Sequence, residues 1–430
     1  MYARVLGAAL LLCAGAARAM AQEPADPHAG HQTPQAGHTE HEGHDMSSMA
    51  RDGSGTSWQP DTTPMYAFHT TRGGWQLMAH ENLFVQYLHE SGERGADQGG
   101  SINWFMGMAQ RPVGRGRVQV NGMLSLEPFT IPGCGYPDLL ASGEQCDGEA
   151  NHDRQHPHDL FMELSARYDA PVAHGLRWQL YGGPAAEPAL GPVAFPHRLS
   201  AMPNPLAPIA HHWLDATHVA FGVVTGGVYG ARWKAEASVF NGREPDDQRT
   251  GFDFGALDSV SARLSYLPAR AVALQVSAGR LEEAEAGDAG GPRVDVTRIT
   301  ASATVHATLD SGVWATTLAW GRNAEADHSS HAFLAETSVT LRDRDTWFGR
   351  FESAGKTGHD LDLSPEDDRF RVAKLQGGYT RYLPPRRGFA PGLGAALSAG
   401  FVPANLRAIY GSRVNLGGAI FVTVRPARAM

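Results

Sequence analysis

Long runs of alternating apolar and polar residues constrain the fold of this chain more than any other feature. Residues 117–126, 229–238, 298–307 and 413–424 each place apolar side chains at every second position. Alternation with a period of two is typical of a β-strand that has one apolar and one polar face. Strands of globular proteins average about five or six residues, whereas a tilted strand needs roughly 9–11 residues to cross a bilayer. The alternation therefore predicts membrane-crossing strands.

The connections between these runs are alternately tight and long. Residues 111–115, 267–270 and 309–312 are tight turns, whereas residues 128–157 and 185–217 are long loops. Outer-membrane barrels have short turns on one side and long loops on the other. We therefore predict an all-β fold, a transmembrane antiparallel β-barrel of about sixteen strands over residues 64–430. Both chain ends are expected on the short-turn side.

The first 21 residues are typical of a secretory signal peptide. Arg4 precedes an apolar stretch over residues 5–17, and small residues surround the predicted cleavage site near Ala21. No later stretch reaches the ~18 consecutive apolar residues of a membrane helix. An exported barrel is expected in the outer membrane of a Gram-negative cell, with lipid as its surroundings and its N-terminal tail in the periplasm. A net charge of −9 without a basic cluster argues against nucleic-acid binding.

Two cysteines remain after the signal peptide, Cys134 and Cys146. An even pair in an exported chain indicates one disulfide that closes a short loop. The alternative is two unrelated thiols.

Residues 22–63 lack apolar periodicity and are rich in His, Gly, Ser and Pro, so we predict a disordered tail. Imidazole and thioether ligands suit copper, whereas imidazole with carboxylate suits zinc and other divalent ions. The sequence therefore predicts a metal-binding tail, and a solvated low-complexity leader is the alternative. The predicted ligands are His28, His31, His38, His41, His44, Met46 and Met49.

Two further groups of ligand-type side chains lie where long loops return to strands. The first contains His152, His156, His158 and Asp159, and the second contains His211, His212, Asp215 and His218. The strands that follow them are separated by one other strand, so the two groups can meet at the outer mouth of a barrel. Together they offer enough donors for a tetrahedral or octahedral metal site. A hydrogen-bonded network that folds the loops inward is an equally physical interpretation.

Charged residues follow the polar phase of the strands and are predicted to face the lumen. A barrel of about sixteen strands can hold water or be filled by protein, so these charges fit a pore or a packed polar interior. They are Glu163, Arg167, Arg177, Arg232, Lys234, Glu236, Arg263, Glu336, Arg350, Glu352 and Lys374.

The leader, with Met46 and Met49 beside its spaced histidines, resembles the His/Met-rich front of the copper-resistance outer-membrane protein B family. That family likewise has a signal peptide, a metal-binding tail and a barrel. The resemblance covers about the first fifty residues together with this general architecture, and it implies copper as the ligand.

The sequence thus predicts a barrel that passes or captures small solutes, in particular metal cations, in metal tolerance or uptake. It is expected not to be an enzyme and to need no obligatory cofactor, with copper, zinc or another divalent ion as ligand. A general porin or structural barrel is the alternative. A lipid hydrolase is a further alternative, because His89 and Ser91 resemble the His-x-Ser-Asn-Gly stretch of outer-membrane phospholipases, although the Asn is missing here. The barrel is expected to be a homotrimer or a monomer.

Overall fold

The computed structural model describes residues 51–147, 149–285, 293–325, 328–365 and 368–428. The predicted signal peptide and the predicted metal-binding residues of the tail, up to Met49, lie outside these residues. The strands are β1 Phe68–Arg72, β2 Trp75–Glu90, β3 Asp97–Val113, β4 Gly116–Leu124, β5 Tyr136–Cys146, β6 Glu149–Gln155, β7 Phe161–Ala173, β8 Leu176–Ala185, β9 Val223–Tyr229, β10 Trp233–Phe240, β11 Ser259–Ala269, β12 Val272–Glu285, β13 Val294–Leu309, β14 Gly312–Ala324, β15 Ser329–Leu341, β16 Asp345–Thr357, β17 Arg369–Tyr382, β18 Phe389–Phe401 and β19 Val414–Pro426.

Sixteen of the described strands form one closed antiparallel barrel. They are β2 to β4 and β7 to β19, each paired with its neighbours along the chain. The barrel closes where β19 pairs with β2, with Ile420 opposite Tyr87. β1 adds a short hairpin to the start of β2, and β5 pairs with β6 inside a loop. The predicted all-β barrel of about sixteen strands is confirmed.

The connections alternate as the sequence predicts. Short turns join β3 to β4, β13 to β14 and the other pairs on one side, and the long connections 125–160, 186–222 and 241–258 lie on the opposite side. β2 begins and β19 ends on the short-turn side, so both ends of the barrel chain lie there.

The two faces of the wall have opposite chemistry. Large apolar side chains point outward, among them Leu264, Val276 and Leu318, which are 49%, 52% and 54% exposed. Such a continuous apolar surface is unfavourable in water and is suited to contact with lipid. Exposed aromatic side chains near the short-turn ends include Trp314 and Trp347. Tyr382, at the short-turn end of β17, is instead buried with its ring 4.1 Å from the guanidinium of Arg425.

Three stretches of chain fill the barrel interior. They are the N-terminal stretch 51–67, the loop 125–160, and residues 186–222, which we call the inserted segment; most of their residues are buried. Residues 51–63 were predicted to belong to a disordered tail. In the structure Asp52 pairs with Arg167 at 2.5 Å, and Thr56 Oγ1 accepts a hydrogen bond from Arg263 at 2.9 Å. Charges of the wall therefore order a stretch that has no apolar pattern of its own.

The helices are short: α1 Glu127–Thr130, α2 His211–Leu214 and α3 Arg407–Tyr410, with 3₁₀ turns at Ala216–His218, His359–Leu361 and Ala404–Leu406. Among the residues that the structure describes, none of the helices has the length and apolarity to cross a membrane.

Candidate functional site

The inserted segment is anchored in the barrel by a buried ion-pair network. Arg198 donates from Nε to Glu336 of β15 at 2.5 Å and from Nη1 to Asp215 at 2.9 Å. Arg350 of β16 donates to the second oxygen of Glu336 at 3.1 Å. Arg198 is 1% exposed, and a buried charge is tolerated only when it is paired and hydrogen-bonded. The network therefore holds the inserted segment against one side of the wall.

The predicted lumen charges face inward, but they contact protein that fills the barrel. Glu352 accepts a hydrogen bond from the Ala210 amide at 3.0 Å, and Lys374 donates to Asp138 of β5 at 2.6 Å. Arg232 is an exception, because it lies in the exposed turn between β9 and β10. Within the described residues these groups form a packed polar interior around the inserted chain.

Four of the predicted histidines meet near the outer mouth, three of them around the ring of Phe195. His158 and His218 have ring centroids 5.3 Å apart, and His218 and His211 are 5.1 Å apart. His156 continues the row at 6.4 Å from His211. The adjacency of β7, β8 and β9 brings the two loops together, as the sequence predicts. We call these four residues the histidine row.

Hydrogen bonds at Nδ1 fix the orientation of each ring in the row. The Nδ1 of His211 contacts Asp215 at 2.9 Å, and the Nδ1 of His158 contacts Glu127 at 3.0 Å. The Nδ1 atoms of His218 and His156 contact backbone carbonyls at 2.8 and 3.1 Å. Carboxylates and carbonyls that bind the far nitrogen of an imidazole orient metal-ligating histidines in the same way.

Burial favours the uncharged form of three of the four rings in the row. It lowers the pKa of His211 and lowers the pKa of both His156 and His218 well below 6.5. Burial also opposes ionisation of Asp215, but the ion pair with Arg198 and the hydrogen bond from His211 outweigh it and hold the pKa of Asp215 below its usual range. A neutral imidazole has the lone pair that a metal ion needs.

The spacing of the row is too wide for a single closed metal site. Zinc–nitrogen bonds of about 2.0–2.1 Å place the ligand atoms of a tetrahedral site about 3.4 Å apart, whereas in the part of the chain that the structure describes no three ligand atoms of the row lie within 4.8 Å of one another. The row is therefore a series of single-imidazole positions.

The remaining predicted ligands have other partners. His152 Nε2 lies 3.7 Å from Asp362, and Asp159 lies 3.5 Å from Arg249. His212 lies beside the row, with its ring centroid 5.4 Å from that of His211, and its Nδ1 lies 3.1 Å from Glu244. Asp215 acts on the row by orienting His211 and holding Arg198. Sequence reasoning did not identify Glu127 and Glu244, whose roles depend on loop conformation.

A methionine-rich cavity of about 80 Å³, which was not predicted from the sequence, lies toward the short-turn side of the row. Two more methionines, Met123 and Met162, line a smaller neighbouring cavity with His197 and His218. All seven methionines within the described residues thus lie in this part of the interior, which we call the methionine chamber. The larger cavity is lined by Met65, Met78, Met106, Met108, Met202, His80, His197 and Trp104, among others.

His197 of the inserted segment links the chamber to the histidine row. Its Nε2 lies 3.3 Å from the sulfur of Met123, and its ring centroid lies 5.5 Å from that of His80. Burial, and then the proximity of His158, lower the pKa of His197 to about 4. The signal that could have revealed the chamber was the spacing of Met78 and His80, and of Met106 and Met108, which puts each pair on one inward face.

Two smaller expectations can be compared with the structure. Cys134 and Cys146 form a disulfide, as predicted. His89 contacts Asp97 at 2.5 Å, and Ser91 Oγ accepts a hydrogen bond from the Leu416 amide at 2.8 Å. Within the described residues no hydrogen bond joins His89 to Ser91, so the arrangement offers no activated serine of the kind a hydrolase needs.

No family model and no curated protein matches this chain, so the resemblance to the copper-resistance family is not confirmed. Among solved structures, OmpF of Salmonella typhi in complex with daunomycin aligns at 8% identity and a TM-score of 0.49, covering 83% of this chain and 100% of that one. An anion-selective porin from Comamonas acidovorans aligns at 10% identity and a TM-score of 0.47, covering 82% of this chain and 99% of that one. The outer-membrane channel DcaP of Acinetobacter baumannii aligns at 7% identity and a TM-score of 0.45, covering 84% of this chain and 100% of that one. Likenesses this distant carry no functional argument.

Proposed function

We propose that this protein is an outer-membrane channel that passes metal cations along its interior. The observation that carries the proposal is the series of ligand-type side chains from the histidine row, through His197, which lines one cavity together with His218, to the methionine chamber. A cation that leaves one ligand finds the next within a few ångströms, which is what conduction through weak successive sites requires. The outward apolar surface supports a location in the outer membrane, with the short turns in the periplasm.

The ligand types favour a soft ion as cargo. Thioethers and imidazoles bind monovalent copper and its analogue silver well, whereas magnesium and calcium prefer oxygen ligands. We therefore propose monovalent soft cations as the transported species. The His-rich tail would collect metal on the periplasmic side, which corresponds to a role in metal tolerance or uptake.

A general porin without a metal role is the second candidate, favoured by the many charged side chains of the wall. Planar-bilayer recordings in gradients of potassium nitrate and silver nitrate separate the two. We expect silver to carry current, with a reversal potential that shifts toward the silver equilibrium potential. A pore with equal permeability to potassium and silver would contradict a metal channel and indicate a general porin.

A further inference from the structure

A second set of ligand-type side chains lies at the outer end of the barrel, beside the histidine row. It consists of His212 on α2, Glu244 in the connection after β10, and Glu285 at the end of β12. One ligand atom from each residue lies within 4.8 Å of the other two. Three elements that are distant in sequence therefore direct an imidazole and two carboxylates at one point.

His212 is held in place at its backbone and at its ring. The amide of Asn323 on β14 donates to the His212 carbonyl at 3.1 Å. Gly143 packs against the far edge of the ring, where an added Cβ would lie 2.0 Å from Nε2. The backbone φ of Gly143 is +114°, which favours glycine. These contacts leave Nδ1 facing Glu244 at 3.1 Å.

The side chain of Glu285 has no direct partner within the described residues. Glu244 contacts His212 at 3.1 Å, whereas the side chain of Glu285 forms no hydrogen bond or ion pair there. The guanidinium of Arg298 acts electrostatically on both carboxylates, and it donates to the side chain of Asn323 at 2.9 Å. Two carboxylates in a partly buried position repel each other, and a cation between them, or a proton on one of them, relieves this repulsion.

We propose that His212, Glu244 and Glu285 bind one divalent transition-metal ion of the zinc type. Zinc ligand atoms lie about 3.4 Å apart in a tetrahedral site with bonds of about 2.0–2.2 Å, so rotations of the two glutamate side chains complete the site. The imidazole disfavours magnesium and calcium, and the absence of sulfur from this trio disfavours monovalent copper. The ion is thus distinct from the proposed cargo.

Such an ion would join the inserted segment to the wall. His212 belongs to the inserted segment, whereas Glu244 and Glu285 belong to the barrel and its outer loop. The site is therefore a fixed structural clamp, and its existence does not depend on whether the interior conducts cations.

Calorimetric titration of the refolded full-length protein with zinc tests the proposal by stoichiometry, because any ions bound by the tail are common to all variants. The variants are Glu285→Gln and Glu244→Gln, which keep side-chain size. The matched control is Glu282→Gln on the same strand, whose side chain pairs with Arg280 at the surface. We expect wild type and the control to bind one more equivalent of zinc than either test variant.

Equal stoichiometry in all four proteins would overturn the proposal, and so would loss of an equivalent from the control. Zinc-soaked crystals give a second readout that needs no variant. An anomalous peak between His212, Glu244 and Glu285 supports the proposed site. The absence of this peak in crystals whose other zinc sites are fully occupied contradicts it.

Discussion

Replacement of Arg198 by methionine removes the charge that anchors the inserted segment and keeps an unbranched apolar stem. Three hydrogen bonds are lost, to Glu336 at 2.5 Å, to Asp215 at 2.9 Å and to the Val193 carbonyl at 2.8 Å. Glu336 keeps Arg350, but Asp215 keeps only the contact with His211 and one backbone amide. Breaking a buried ion pair by removing one partner costs about 3–5 kcal/mol.

Because every 1.4 kcal/mol is a factor of ten, this loss raises the ratio of displaced to seated inserted segment by about 100- to 4000-fold. In single-channel recordings the displaced inserted segment is detected as wide, weakly selective openings, and their frequency measures this ratio. The control is Arg371→Met, which removes an exposed arginine from β17. If Arg198→Met folds with unchanged strand content and shows no more wide openings than the control, the ion-pair network does not hold the segment.

Three further predictions concern stability, each measured by urea unfolding. Burial lowers the pKa of His156 and His218, so below pH 6.5 the unfolded chain binds protons that the folded chain does not. Each of the two histidines should therefore lower the free energy of unfolding by up to about 1.4 kcal/mol for each unit by which the pH falls. A His156→Gln/His218→Gln variant with the same slope as wild type between pH 6.5 and 5.5 would contradict this. Gly143→Ala should lower the free energy of unfolding by about 1–3 kcal/mol more than Gly114→Ala does. Both glycines have a positive φ, but an added Cβ overlaps His212 at Gly143, whereas it meets open space at Gly114. Replacing both disulfide cysteines by serine should cost about 3 kcal/mol, and no loss would show that the loop is held by its other contacts.

The barrel could be predicted from the sequence because its signal is local. Each strand carries its own alternation, and turn lengths alone place successive strands side by side. The meeting of the loops that carry His158 and His218 followed from the same adjacency, since only β8 separates their strands. Ring orientation did not follow, because it depends on Glu127 and Asp215 in irregular stretches.

The filling of the interior could not be predicted in the same way. Arg198 and Glu336 are 138 residues apart, and nothing near either residue indicates the other. The stretch around Asp52 and Thr56 is polar and aperiodic, and in the structure Arg167 and Arg263 of the wall bind it. The composition of this stretch therefore predicted disorder, whereas in the folded protein ion pairs and hydrogen bonds with the wall order it.

The methionine chamber was detectable in part. Met106 and Met108 share one face of β3, and Met78 and His80 share one face of β2, which is a local pattern. Their convergence with His197 was not detectable, because His197 reaches them only when the inserted segment folds into the barrel.

Silver uptake by proteoliposomes tests the central claim, a cation path through the chamber, most directly. The comparison is wild type against the double variant Met78→Leu/Met106→Leu, which conserves volume and removes two thioethers. We predict that silver uptake falls by about tenfold or more, the loss typical of weakened metal sites, while potassium conductance is unchanged. Equal silver uptake by both proteins would contradict the proposed path.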